Sequence, residues 1–226
     1  MRGRTGKIAV LALFVLSLTG FGRMEGYDVI DRARAAYAAL DSGRLTITDV
    51  DTGGLVQDFT FRYEDGALTY LYEGTGPDGT FSCEYGDGET RELYTDGQWA
   101  AYAADEDGYV RYTRKRPHQN ASKDIFFLLG SCVEQAEITE LPDGGQTIRY
   151  VYSPAKLSGK LAGQLRGGKL TAFETVYTLD ASGGIEEMIE QSTVSGPDGD
   201  SEWAYKLVIS DENAVEAIEK PEVDKR

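Results

Sequence analysis

Three hydropathy regimes follow one another along this chain. Residues 8–18, IAVLALFVLSL, are apolar almost without a break and single out no face. Over residues 29–40 the apolar positions Ile30, Ala33, Tyr37 and Leu40 recur at helical spacing, with Asp31, Arg32 and Arg34 on the other side. That spacing predicts a helix packed by one stripe, capped by Asp28 and followed by Gly43 beyond its end. From Phe59 the period drops to two: Phe59, Phe61 and Tyr63 alternate with Thr60 and Arg62, and Leu68, Tyr70 and Tyr72 share the next face. Such alternation marks strands buried on one side. Asp-Gly pairs at 65–66, 78–79, 87–88, 96–97 and 107–108 punctuate these runs at intervals of 9 to 13 residues. Asp-Gly supplies the positive φ angles that tight hairpins need, so the pattern predicts an antiparallel meander.

The pattern is less regular in the middle. Residues 117–122 read as a loop and 123–129 as a short helix or buried apolar segment. Strands are expected again at 137–140 and 148–152, joined by Pro142-Asp143-Gly144-Gly145. Residues 154–165 predict a short helix, with Pro154 in its first turn and Leu157, Leu161 and Leu165 spaced by four. Three long strands follow. Phe173, Tyr177 and Leu179 share a face of the first, Ile185, Ile189 and Thr193 of the second, and Trp203, Tyr205, Leu207 and Ile209 of the third. Ser182-Gly183-Gly184 and Pro197-Asp198-Gly199 are the turns between them. No fixed-period repeat and no linker divides the chain. The expected organisation is a leader over 1–22, one domain over 23–219 and a charged, frayed tail over 220–226.

The leader is read from its flanks. Arg2, Arg4 and Lys7 precede the apolar run and Gly20 and Gly22 end it, the form of a secretory signal peptide. Residues 8–22 number 15, short of the roughly 20 a membrane-spanning helix needs, so a retained anchor is the lesser alternative. Leu18-Thr19-Gly20-Phe21 is a lipoprotein cleavage box with Phe21 where the acylated Cys belongs. Phe21 has no thiol, so export is expected without a lipid anchor, to a secreted or envelope-associated location.

Composition narrows the partners. The chain carries a formal charge of −15, which becomes −18 once the three basic leader residues are removed. Such a surface repels phosphate backbones and disfavours nucleic acid. At 41% hydrophobic and 11% aromatic residues the chain has enough apolar material for a real core. Cys83 and Cys132 are the two cysteines, and both read as small core residues. Export permits a disulfide between them, but spacing alone does not decide it. His118 is the single histidine and there is no CxxC, so no metal or cofactor is expected.

This order of elements resembles the LolA/LolB-like superfamily, which includes mycobacterial lipoprotein relatives and many Gram-positive lipoproteins of unknown role. The resemblance rests on the near-lipobox at Leu18-Thr19-Gly20, the helix at 29–40, the aromatic hairpins from Phe59 onward and the closing pattern YTLDASGGIEEM…WAYKLVIS over 177–210. It implies an α+β, mainly antiparallel fold: a curved half-barrel sheet with an N-terminal helix and one or two short helices plugging its open side over an apolar cavity. It also implies a monomeric carrier of lipid or another hydrophobic molecule. The lipobox remnant points to an envelope-tethered ancestor, whereas a dedicated carrier is usually free in the periplasm. The lipoprotein-ferrying role itself is therefore not carried over.

The candidate cavity residues are Phe59, Phe61, Leu68, Tyr70, Phe173, Tyr177, Trp203, Tyr205 and Leu207. For any one of them plain core is the preferred reading, since inward aromatics on a sheet are core by default. Arg111, Arg114, Lys115 and Arg116, with His118 beyond, form the one basic cluster. It suits a phosphate headgroup, a wall polymer or an acidic envelope protein; equally, 109–114 is an edge strand guarded by charge. Catalysis is not expected: there is no GxSxG or HExxH, and Glu186, Glu187 and Glu190 read as a solvated acidic run. Asp49, Asp51 and Gly53 only faintly echo a calcium loop and lack its distal ligands; Asp105, Asp107 and Gly108 read as a hairpin turn.

Overall fold

The structure is a computed structural model and describes residues 26–76, 79–95, 97–103, 130–161, 165, 168–197 and 199–222. The leader, the 107–108 turn, the basic cluster Arg111, Arg114, Lys115 and Arg116, His118, the 117–129 segment and the last four tail residues lie outside them.

Alternating side chains and Asp-Gly turns produce the expected meander. Strands β1 (Ser42–Asp49), β2 (Leu55–Glu64), β3 (Ala67–Thr75), β4 (Phe81–Gly86), β5 (Thr90–Thr95) and β6 (Gln98–Ala103) pair in sequence order. At the β2–β3 corner Asp65 and Gly66 both take positive φ, 50° and 82°, as a two-residue hairpin turn demands. A second meander comprises β7 (Val133–Glu140), β8 (Gln146–Tyr152), β9 (Lys169–Leu179), β10 (Ile185–Gly196) and β11 (Gly199–Ser210). β1 and β11 join the two halves in the middle of the sheet, antiparallel, from Arg44 opposite Ser210 to Asp49 opposite Tyr205. The result is one 11-stranded sheet in the order β6-β5-β4-β3-β2-β1-β11-β10-β9-β8-β7. It is curved and left open, with β6 and β7 as its two ends.

Among the described residues two helices lie on the inner face: α1 (Tyr27–Ala38) and α2 (Pro154–Leu161). Helix α1 starts two residues earlier than the periodicity predicts. Its cap is Gly26, at φ 73°, whose carbonyl accepts the Val29 and Ile30 N–H groups; Asp28 sits inside the first turn, where its charge favours the helix dipole. Ile30, Ala33 and Tyr37 pack onto the sheet, and the Tyr37 ring meets Phe61 edge-on at 6.1 Å. From α2, Leu157 is fully buried. Together with Leu45, Phe59, Ile148, Tyr150 and Leu179 they form the core, each large side chain contributing about 1.5–3 kcal/mol by leaving water.

One expectation is corrected. Ile185, Ile189 and Thr193 do not share a face. A bulge between Ile185 and Glu187 inserts one residue, so Met188 and Val194 turn inward while Ile189 and Thr193 turn outward. The two cysteines are both buried, as small core residues are expected to be, but on different sides of the sheet. Cys132, in a 3₁₀ turn (Gly130–Cys132), belongs to the core. Cys83 is buried on the outer face, opposite Glu73 and Tyr94, and both thiols are free.

Candidate functional site

Burial along the inner face fades toward the end of the sheet that carries the β1–β2 and β10–β11 turns. On β11, Ile209 and Leu207 are buried, Tyr205 is half-buried and Trp203 is 41% exposed. On β1, Leu45 is fully buried but Ile47 and Asp49 only partly. On β2, Phe61 and Phe59 give way to half-buried Gln57. Val50 and Leu55 beside the neighbouring turn are 45% and 47% exposed. Cover of the inner face is thus lost toward this end, where Trp203 and Tyr205 remain partly exposed beside Ile47, Asp49 and Gln57.

Glu190 lies at the border of that part, between buried Thr175 on one side and partly open Tyr205 on the other. The strand register places Tyr205 directly across from it on β11 and Thr175 directly across on β9. Trp203 and Phe173 both pair with Ser192, and Leu207 and Tyr177 both pair with Met188, so these four are its diagonal neighbours on the same face. Direct neighbours are about 4.5–5.5 Å apart at Cβ and diagonal ones about 7–8 Å. The Thr175 hydroxyl lies 3.3 Å from the Tyr152 hydroxyl, and the Tyr152 ring stands edge-on to Phe173 at 5.2 Å. No hydrogen bond or ion pair reaches the Glu190 carboxylate from the described residues. Desolvation alone pushes its carboxyl up to about 7. Burial likewise raises the Tyr152 phenol to about 12, and it raises Tyr205 with the charges of Asp49 and Glu190 assisting.

The two buried carboxylates of this sheet, Asp58 and Glu84, are paired, as is Glu174. Asp58 accepts from Arg44 Nε at 2.9 Å on the outer face. Glu84, buried on the inner face, accepts from the Tyr70 hydroxyl and from Arg91 Nη2, each at 2.6 Å. Glu174 pairs with Arg149. Glu190 is built differently.

The candidate cavity residues fall into two groups. Phe59, Phe61, Leu68, Tyr70, Phe173, Tyr177 and Leu207 are buried, and Phe59, Phe61 and Tyr70 pack ring on ring beside α1. Tyr205 and Trp203 stand at the open part. Glu190 was missed because simple alternation from Ile185 sends it to solvent; the signal available was Met188 and Val194, which share its parity. Its sequence neighbours do face water, Glu186 exposed and Glu187 3.5 Å from Lys206. Asp49 is engaged in its own turn, accepting from the Thr52 N–H at 2.8 Å and the Thr52 hydroxyl at 2.9 Å.

Elsewhere, a shallow cleft of about 710 Å³ lies between Asp41, Arg62, Tyr63, Asn213 and Glu216. Its walls are polar, and Arg62 already donates to the Val215 carbonyl and pairs with Glu64. Among the described residues no group of acidic, His or Cys side chains is arranged to hold a metal ion, and no helix is long and apolar enough to cross a membrane.

No family model matches the sequence, and no curated protein matches it. Among solved structures the chain is similar to LprF from Mycobacterium bovis, at 13% identity over 87% of this chain and 97% of that one, with a TM-score of 0.44. It is also similar to the Mycobacterium tuberculosis lipoprotein LppX, at 15% identity over 85% and 96% of the two chains, again with a TM-score of 0.44.

Proposed function

We propose that this is an exported, non-catalytic binding protein that holds a lipid or another hydrophobic molecule on the inner face of its sheet. The observation that carries the reading is the uneven cover of that face. Core residues beside α1 and α2 are closed to solvent, while Trp203, Tyr205 and Ile47 on the same face stay partly open. Leaving such aromatic surface in water forgoes about 25 cal/mol per Å², so a ligand that covers it gains that driving force. The leader over 1–22 supports an extracytoplasmic location, with Phe21 in place of the lipidated Cys. The polar cleft near Arg62 offers no comparable apolar surface. The rival reading, a surface module working through Arg111, Arg114, Lys115 and Arg116, rests on residues outside the described ones.

Native mass spectrometry of the secreted protein, before and after organic extraction, tests the proposal. Extra mass that disappears on extraction is expected. A Tyr205→Asp variant, charged in the middle of the open face, is expected to lose that mass while remaining folded. A bare polypeptide that also fails to take up any dodecyl-chain amphiphile after extraction defeats the reading.

A further inference from the structure

We propose that Glu190 is the headgroup site of this face: its carboxylate pairs with the ammonium group of a cationic amphiphile whose apolar part lies along the aromatic surface. The inference rests on the reading above and adds the chemistry of the ligand. Three observations converge on it.

First, among the described residues Glu190 has no partner of the kind that Asp58, Glu84 and Glu174 each have. A carboxylate half-removed from water on an apolar face is costly unless a cation reaches it. Second, its neighbours suit a cation. Tyr205 lies directly across and Trp203 diagonally, and both are partly open, so their ring faces are available beside the acid. Aromatic rings around one carboxylate recognise ammonium groups by cation–π attraction, worth about 0.5–2 kcal/mol per contact. Third, the field excludes the opposite sign: the chain carries −15, and Asp49 stands opposite Tyr205 on the same face. An anionic headgroup placed here meets two carboxylates and no base among its cross-strand neighbours.

The pairing also sets a pH dependence. Facing Glu190 are Tyr205 from β11, with Asp49 from β1 beyond it, Thr175 and Tyr177 from β9, and Tyr152 and Tyr150 from β8. Burial holds the Tyr152, Tyr177 and Tyr205 phenols above their ordinary value, so they stay neutral through pH 9. The Thr52 hydrogen bonds hold Asp49 low, so it stays charged above pH 5. Glu190, with its carboxyl at about 7, is the member of this set that titrates between pH 6 and 8. The ammonium ligand binds the ionised form and releases a proton below that range.

The experiment is titration of the extracted, full-length secreted protein with dodecyltrimethylammonium, 1-dodecanol and dodecanoate, below their micelle limits, followed by tryptophan fluorescence and calorimetry at pH 6 and pH 8. Dodecyltrimethylammonium is expected to bind about tenfold more tightly at pH 8, the ratio of ionised carboxyl between those pH values for a group titrating near 7. Glu190→Gln is expected to abolish that pH dependence and to weaken the ammonium probe about tenfold, while leaving dodecanol unchanged. Trp203→Leu is expected to weaken the ammonium probe several-fold more than dodecanol. Dodecanol serves as the check that each variant is folded and that the apolar face works. Equal, pH-independent binding of dodecanol and the ammonium probe, unaffected by Glu190→Gln, overturns the headgroup site and leaves the apolar face standing. Preferential binding of dodecanoate overturns it as well. Failure of all three probes removes the underlying reading and the headgroup site with it.

Discussion

At the scale of single residues, Glu190 links ligand chemistry to stability. Its folded-state carboxyl titrates near 7 against an ordinary 4.5, so the folded protein holds a proton that the unfolded chain has lost. Stability is therefore undiminished by this group below about pH 4.5 and falls as pH rises toward 7, after which the penalty is complete. Residual contact with water screens the effect, leaving on the order of 1–3 kcal/mol. Urea denaturation should find Glu190→Gln more stable than the wild type by that amount at pH 8 and no different at pH 4. A constant difference at both pH values counts against the desolvated carboxyl. None of this was legible from the acidic run at 186–190, because desolvation depends on what lies across the strands. Buried aromatics such as Phe61, Tyr70 and Tyr177 were legible, since bulk and alternation alone send them inward.

At the scale of elements, short-range chemistry decided most of the boundaries. The Asp-Gly corners at 65–66 and 87–88 form where they are expected, and the Asp180 carboxylate closes the β9–β10 turn by accepting from the Ser182 and Gly184 N–H groups at 2.7 and 2.9 Å. The bulge at Ile185–Glu187 escaped because its residues read as ordinary strand and only pairing with Thr178 and Leu179 exposes the extra one. Close approach between strands is another property of pairing. Gly86 sits opposite Tyr70, and a Cβ there would stand 2.2 Å from Tyr70 Cε1. Gly86→Ala must push the Tyr70 ring aside and loosen its hydrogen bond to Glu84. The expected loss is about 1–3 kcal/mol, seen as a lower denaturant midpoint. Combining it with Tyr70→Leu, which makes room, should cost less than the sum of the two changes. Strict additivity would show that the ring and the glycine do not compete for space.

At the scale of the whole molecule, the chain's two ends meet. β1 and β11 pair in the centre of the sheet, so the central seam cannot form until nearly the entire chain is in place. Such non-local pairing places refolding on the millisecond-to-second scale. Beyond β11 the tail runs over the outer face. Asn213 Oδ1 accepts from the Asp41 N–H at 2.8 Å, Val215 N–H donates to the Ser42 hydroxyl at 3.2 Å, and Lys220 pairs with Glu92 while lying 4.7 Å from the Trp99 ring centre. The tail thus ties β1 to β5 and β6, and Lys220, read as part of a frayed end, is one of its contacts. Removing residues 212–226 should lower stability by about 1–3 kcal/mol, a thermal midpoint shift of roughly 3–10 °C for a domain of this size. Calorimetry of the shortened chain checks it, and an unchanged midpoint would show that the strap holds nothing.

The sequence by itself determined most of the elements, though not β1, together with their antiparallel order within each meander, the inward aromatics and the acidic surface. These follow from turn chemistry and side-chain period, which act over a few residues and need no partner. Tertiary structure alone decided the β1–β11 seam, the opposite faces of Cys83 and Cys132, the parity of β10 after its bulge and the desolvated setting of Glu190. Each depends on which strand lies alongside. A single inserted residue reverses every side chain beyond it, and the environment of a carboxyl is set by neighbours from four other strands.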